Sequence, residues 1–203
     1  MNTAINNFYL LQPYERKTDD IADAIYKYEN TINVDVWRGN TKLSLAKVVS
    51  AEPFDFVGSI SGKAYQESDL ILYDETRIIK HFSDGTKLVR DDAIYCLFND
   101  ADNAPGAKIN EVVVKIERSV GLEMQNVVNG FYGTVVDINL AEYWNEKSRV
   151  LTVKKGDNVI LVNPYRTGSE DGDEVFKKVS TTNGFYVVAE VDAIACKVNS
   201  EKE

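Results

Sequence analysis

Apolar residues along the chain come in short runs bounded by turn-forming residues. Phe8-Tyr9-Leu10-Leu11, Leu70-Ile71-Leu72-Tyr73, Val112-Val113-Val114, Val159-Ile160-Leu161-Val162 and Tyr186-Val187-Val188 are β-branched or aromatic, and Gly, Asn, Asp or Pro punctuates them. That pattern predicts strands, and their frequency predicts a sandwich or barrel. Turns are expected at Asp84-Gly85, Lys155-Gly156-Asp157 and Asn183-Gly184. The polar stretch from Asn99 to Gly106 reads as a linker, which divides the chain into residues 1–103 and 104–203.

The two parts read as copies of one plan. Asp92-Ala93-Ile94-Tyr95-Cys96 recurs as Asp192-Ala193-Ile194-Ala195-Cys196, an offset of 100. The run from Leu70 to Arg77 matches Val159 to Arg166 at 89, and Ala46-Lys47-Val48-Val49 matches Gly133-Thr134-Val135-Val136 at 87. Leu10-Leu11 with Glu15-Arg16 matches Val112-Val113 with Glu117-Arg118 at 102. The matches keep their order, and changing offsets reflect insertions in loops, where they cost little. On this reading Cys96 and Cys196 are small buried residues on equivalent final strands, neither a disulfide pair nor nucleophiles.

The second copy carries a fuller pattern. Glu111 to Arg118 is a Val-rich strand with basic residues, followed by Gly133-Thr134-Val135-Val136 and then Val153-Lys154-Lys155-Gly156-Asp157-Asn158-Val159. It closes on Tyr186 to Cys196. In the tight turn, Gly156 supplies a positive φ and Asp157 a local hydrogen-bonding side chain. This pattern over residues 108–198 resembles the GroES co-chaperonin family. The first copy resembles it more faintly, since Asp69-Leu70 stands where the family has Gly-Asp and the glycine is missing. The resemblance implies an all-β chain of two tandem GroES-like small β-barrels. It also implies two excursions per copy: a loop that docks on a chaperonin ring and a hairpin that roofs the chamber. The family has neither catalytic residues nor a cofactor.

The excursions carry the candidate binding residues. In the second copy, Gly121 precedes Leu122 and Met124, which keep the apolar spacing of a docking triplet, although Glu123 stands between them. A plain connecting loop is the alternative. In the first copy, the excursion from Thr18 to Ser44 is about 15 residues longer. Asp19 and Asp20 there cap a short helix with Ile21, Ile25 and Tyr28 on one face, and Ile32, Val34 and Val36 alternate like a strand. That insert reads as an assembly surface or a satellite of the core. Phe54, Phe56, Tyr143 and Trp144 in the roof segments are interface anchors or core.

Composition narrows the function classes. In 203 residues, 32 acidic against 23 basic side chains give a net charge of −9, which opposes a general nucleic-acid or anionic-membrane binder. No apolar run approaches the roughly 18 residues of a membrane span, and no signal peptide opens the chain. One histidine and two cysteines leave little for zinc. His81 beside Ser83 and Asp84 is no triad, whose members converge from separate segments. Asp100 to Pro105 begins like a calcium loop but has Ala and Pro at ligand and glycine positions. Glu170 to Glu174 reads as a solvated acidic tip rather than a cation site.

The expectation is therefore a non-catalytic, cytoplasmic (host-cytoplasmic if viral), homo-oligomeric protein without cofactor or metal. Through the resemblance, its partner is a chaperonin ring. The alternative is a structural or assembly protein, such as a phage virion or scaffold component, that keeps the fold without the chaperone cycle and has capsid or assembly partners. A small-ligand binding barrel is the third possibility.

Overall fold

Every apolar run named above lies in a β-strand. The computed structural model describes residues 2–5, 8–14, 43–51, 65–121, 129–140, 152–162 and 176–198. Seven strands make the first sheet: β1 (Phe8–Pro13), β2 (Leu43–Ser50), β3 (Leu70–Asp74), β4 (Lys80–His81), β5 (Lys87–Arg90), β6 (Ile94–Asn99) and β7 (Ala104–Gly106). Six make the second: β8 (Glu111–Gly121), β9 (Asn129–Asn139), β10 (Asn158–Val162), β11 (Lys177–Thr181), β12 (Gly184–Glu190) and β13 (Ile194–Val198). Both sheets are antiparallel, in the orders β4-β5-β1-β2-β3-β6-β7 and β11-β12-β8-β9-β10-β13. The chain divides into two compact units, Met1–Ala104 with Ser180–Asn183 and Pro105–Val179 with Gly184–Glu203.

Strand for strand, the two orders are the same up to the extra β7. The registers also coincide. Leu11 faces Val48 in the first sheet, and Val114 faces Val135 in the second. Ala46 faces Ile71 as Gly133 faces Val159. Leu72 faces Cys96 as Ile160 faces Cys196, and Tyr9 faces Val89 as Val112 faces Ala189. The irregularities recur too. A bulge between Leu10 and Leu11 matches one between Val113 and Val114, and one between Leu72 and Tyr73 matches one between Ile160 and Leu161. A single-turn 3-10 helix precedes the last matched strand in each, Asp91–Ala93 and Val191–Ala193.

These pairings correct two sequence offsets by one residue. β1 maps onto β8 at 103 rather than 102, and β3 onto β10 at 88 rather than 89, while 87 and 100 stand. Parity is the physical reason. A slip of one residue sends every side chain of a strand to the other face. Tyr9, Leu11, Ile71 and Tyr73 line the first core, and their counterparts Val112, Val114, Val159 and Leu161 line the second.

The cores are filled differently at equivalent places. Tyr9, Tyr65 and Tyr73 occupy in the first unit the positions of Val112, Val153 and Leu161 in the second. The Tyr9 and Tyr65 rings meet edge-on, 5.7 Å apart. The second unit recovers aromatic volume from other positions, with Phe131 edge-on to Phe176 at 5.5 Å and to Phe185 at 6.3 Å. Full burial of such a side chain is worth about 1.5–3 kcal/mol, so these faces hold the sheets together more than any turn does.

The Gly-Asp turn before β10 has a full counterpart before β3. Gly156 N–H donates to the Val135 carbonyl at 2.8 Å, and Ser68 N–H to the Val48 carbonyl at 2.7 Å. Lys154 N–H donates to the Asp157 carboxylate at 2.8 Å, and Gln66 N–H to that of Asp69 at 2.7 Å. Both turns need positive φ: +91° at Gly156 and +78° at Ser68. The glycine missing from the first copy is thus replaced by a serine held in the left-handed region.

Other expectations change. Asn99 to Gly106 is not a plain linker: Asn99 ends β6, Ala101 and Asp102 N–H groups donate to its side chain, and Ala104–Gly106 forms β7 with Ala104 and Pro105 buried. The insert of the first copy ends before Leu43, because Leu43 and Ser44 pair with Asp74 and Tyr73 inside β2. From Leu11 to Val48 there are 16 more residues than from Val114 to Val135. Cys96 is buried but Cys196 is exposed, and their cross-strand neighbours differ in the same sense, Leu72 being buried and Ile160 only partly so. The short helix expected around Ile21, Ile25 and Tyr28 and the roof residues Phe54, Phe56, Tyr143 and Trp144 lie outside the described residues.

Candidate docking segments

Gly121 ends the longest strand pairing among the described residues. Beside β12, β8 is paired from Glu111 to Lys115; β9 accompanies it as far as Gly121 opposite Asn129. Among the described residues, the last part of β8 therefore has β9 as its one neighbouring strand, and β9 from Gly130 onward is paired in turn with β10. A second irregularity between Ile116 and Arg118 adds local twist there. Arg118 lies over the Tyr132 ring at 4.9 Å from its centre, a cation–π contact worth about 0.5–1 kcal/mol at an exposed site. The Thr134 hydroxyl donates toward Glu117 at 3.2 Å and Asn158 at 2.9 Å, binding β8, β9 and β10 together.

Glycine lets the backbones close up along this strand pair. A Cβ on Gly130 would stand 2.9 Å from the Leu161 carbonyl oxygen and 3.5 Å from that of Val120. Gly133, further back, has no room at all, because a Cβ would collide with the Lys115 carbonyl oxygen. Its counterpart Ala46 is fully buried in the first core, so that place in β2 takes a methyl group.

Gly121 is thus the last described residue of β8, opposite Asn129. Leu122 and Met124 fall in 122–128, outside the described residues, as do Ile32, Val34 and Val36. In the first unit the equivalent pairing is described as far as Tyr14. Its last steps are Pro13 opposite Ala46 and a bond from Tyr14 N–H to the Leu45 carbonyl at 3.0 Å.

Three polar arrangements escaped the sequence reading. Lys87 Nζ donates to the Tyr73 hydroxyl at 2.8 Å and lies 3.6 Å from Glu75. These groups are separated in sequence, and only the pairing of β1 with β5 and β2 with β3 assembles them. Lys197 lies 2.8 Å from the Asp157 carboxylate, fastening β13 to the Gly-Asp turn. That hydrogen bond, with the Lys154 N–H, holds the Asp157 carboxyl below its ordinary pKa. Burial, together with the charge and hydrogen bonding of Asp91, pushes the Tyr9 phenol up to about 12.

His81 is an exposed residue of the two-residue strand β4. Asp100, in the stretch that begins like a calcium loop, accepts from the Tyr14 hydroxyl at 3.0 Å. Among the described residues, no three His, Cys, Asp or Glu side chains group to hold a metal, and no helix is long and apolar enough to cross a membrane. Glu170 to Glu174 lies outside the described residues.

No protein-family model matches the chain, and no curated protein matches it significantly.

Proposed function

We propose that this chain is a duplicated, non-catalytic co-chaperonin-like protein: two GroES-like small barrels in tandem that cap a chaperonin ring and assist folding. The observation that carries the reading is the Gly156-Asp157 turn with its strand context. The second half resembles the family from its Val-rich first strand to its last, and the first half repeats the same turn, bulges and register with Ser68-Asp69. The segment after Gly121 is the docking element in this reading. Leu122 and Met124, which follow Gly121 in the sequence, are its apolar anchors. A loop with few anchors gives weak, reversible attachment, which a cycling lid requires.

A chaperonin pull-down with and without ATP tests this. Nucleotide-dependent recovery that falls on Leu122→Ala with Met124→Ala supports it; no recovery under any nucleotide condition rejects it. One observation favours the second reading, an assembly or scaffold protein with the same fold. Glu123 puts a charge in the middle of the apolar pair, which weakens docking in a hydrophobic groove. Incorporation into an assembled particle, with indifference to chaperonin, would establish that role instead.

A further inference from the structure

The sequence Asn-Gly-Phe-Tyr occurs twice, as Asn129-Gly130-Phe131-Tyr132 and Asn183-Gly184-Phe185-Tyr186. Asparagine is a thermolabile residue, and glycine after it favours loss of the side-chain amide, because a residue without a side chain leaves its N–H free to swing toward the Asn carbonyl carbon. The local sequence is the same at both places, so a difference in reactivity between them comes from structure.

The first place is held in a ladder. Gly130 is buried and paired with Val120 on one side and Val162 on the other. The second is a hairpin tip. β11 ends at Thr181 and β12 begins at Gly184, so Thr182 and Asn183 make the turn, and both are exposed. Gly184 takes a φ of +138°, and a Cβ there would stand 2.8 Å from Lys115 Cε, so the hairpin itself requires the glycine. The asparagine serves as a donor. Its Nδ2 donates to the Asp102 carbonyl at 2.8 Å, and beside it Asn103 Nδ2 donates to the Thr182 hydroxyl at 2.6 Å. Residues 180–183 accordingly fall within the first compact unit. Two structural needs thus set Asn before Gly at an exposed turn.

We propose that Asn183 is a self-modification site, where slow deamidation turns the amide that holds the hairpin tip to Asp102 into a carboxylate and releases that contact. The Gly184 backbone nitrogen attacks the Asn183 side-chain carbonyl carbon and forms a C–N bond. The bond to Nδ2 breaks, and the amide leaves as ammonia with the proton from the Gly184 nitrogen. Water then opens the succinimide ring at either carbonyl, leaving aspartate or isoaspartate. Neither product donates to the Asp102 carbonyl, and each sets a negative charge against its oxygen. The turn itself accepts an aspartate. The matching hairpin of the first sheet, β4–β5, turns on Asp84-Gly85, where the carboxylate accepts from the Thr86 N–H and hydroxyl at 3.0 and 2.6 Å. What changes is therefore the contact with residues 99–103. The bonds at the tip set the pace, since they open before the ring closes. The site is independent of a capping or scaffold role.

The folded full chain is incubated at mildly alkaline pH, digested and followed by peptide mass spectrometry, beside the same chain in urea. In urea the two Asn-Gly sites should react at similar rates. In the folded protein Asn183 should react at least about tenfold faster than Asn129, because hairpin tips open at little cost while laddered strands open near the cost of global unfolding. Thr182→Ala removes the hydroxyl that Asn103 holds and should quicken the loss at Asn183 alone. Asn183→Asp should speed backbone hydrogen exchange across residues 99–103 and leave β8 and β9 unchanged. Equal rates at the two sites in the folded chain would overturn the proposal. So would an Asn183 that survives where the unfolded chain reacts, a Thr182→Ala rate equal to wild type, or wild-type exchange across residues 99–103 in Asn183→Asp.

Discussion

Replacing Ser68 by glycine is expected to stabilise the first unit. Ser68 is exposed, so the substitution removes no packing, and its φ of +78° is one that an L-residue holds at a cost. That cost is about 1–2 kcal/mol for a side-chain-bearing residue in the left-handed region. Glycine relieves it but loosens the unfolded chain by about 0.4–1 kcal/mol. The net gain is about 0.8 kcal/mol, within reach of urea titration followed by circular dichroism. Gly156 supplies the mirror experiment. A Cβ there meets nothing within 4 Å, so Gly156→Ala changes the backbone energy alone and should destabilise the second unit by a similar amount. Ser68→Ala is the control, because it keeps the strain and should leave stability nearly unchanged. The argument fails if Ser68→Gly and Ser68→Ala shift the midpoint alike, or if Ser68→Gly lowers it.

Three further outcomes follow from the same structure. Gly133→Ala should cost about 1–3 kcal/mol as an overpacking change against a backbone carbonyl, whereas Ala46→Gly at the equivalent place should cost only about 0.5–1 kcal/mol; denaturant midpoints separate them. Tyr9, its pKa raised to about 12, should ionise late in an ultraviolet titration; its contribution is fully present below pH 10.0 and lost as pH rises through about 12, and Tyr9→Phe should remove that alkaline loss. Asp157→Asn should destabilise the chain at neutral pH, and the difference from wild type should shrink as pH falls below the ordinary carboxylate value of 3.8, because the native carboxyl is the more acidic one; thermal melts at both pH values check this.

Strand placement was legible because β-branched and aromatic runs between turn residues have few other ways to bury themselves. The one-residue errors in two offsets have a specific cause. Leu10 and Leu11, Ile71 to Tyr73, and Val112 to Val114 are buried on both faces of their strands, so no polar alternation marks which face points where. Two frames then match equally well by eye, and the bulges that choose between them leave no trace in composition. Ser68 escaped notice for a similar reason: a serine is an ordinary turn residue, and only its φ identifies it as the stand-in for a glycine. The exposure of Cys196 depends on what covers that face of its sheet, which a motif shared with Cys96 does not encode. Of the candidate site, Gly121 was read as part of the docking segment, whereas β8 runs through it and pairs it with Asn129; that reach, like the contact of Arg118 with Tyr132, depends on cross-strand register.

Equal register in two halves of one polypeptide also creates a hazard during folding. Each strand of one half geometrically fits the slot of its counterpart, and misassembly between like units is a characteristic failure of repeated chains. Here the side chains act as the key. The trio Tyr9, Tyr65 and Tyr73 would overfill the space shaped for Val112, Val153 and Leu161, whose surroundings already hold Phe131, Phe176 and Phe185. Conversely, the aliphatic trio would leave voids in the tyrosine-filled half, and voids of that size cost several kcal/mol each. The divergence that makes the first copy hard to recognise is thus also what lets a newly made chain sort its own strands.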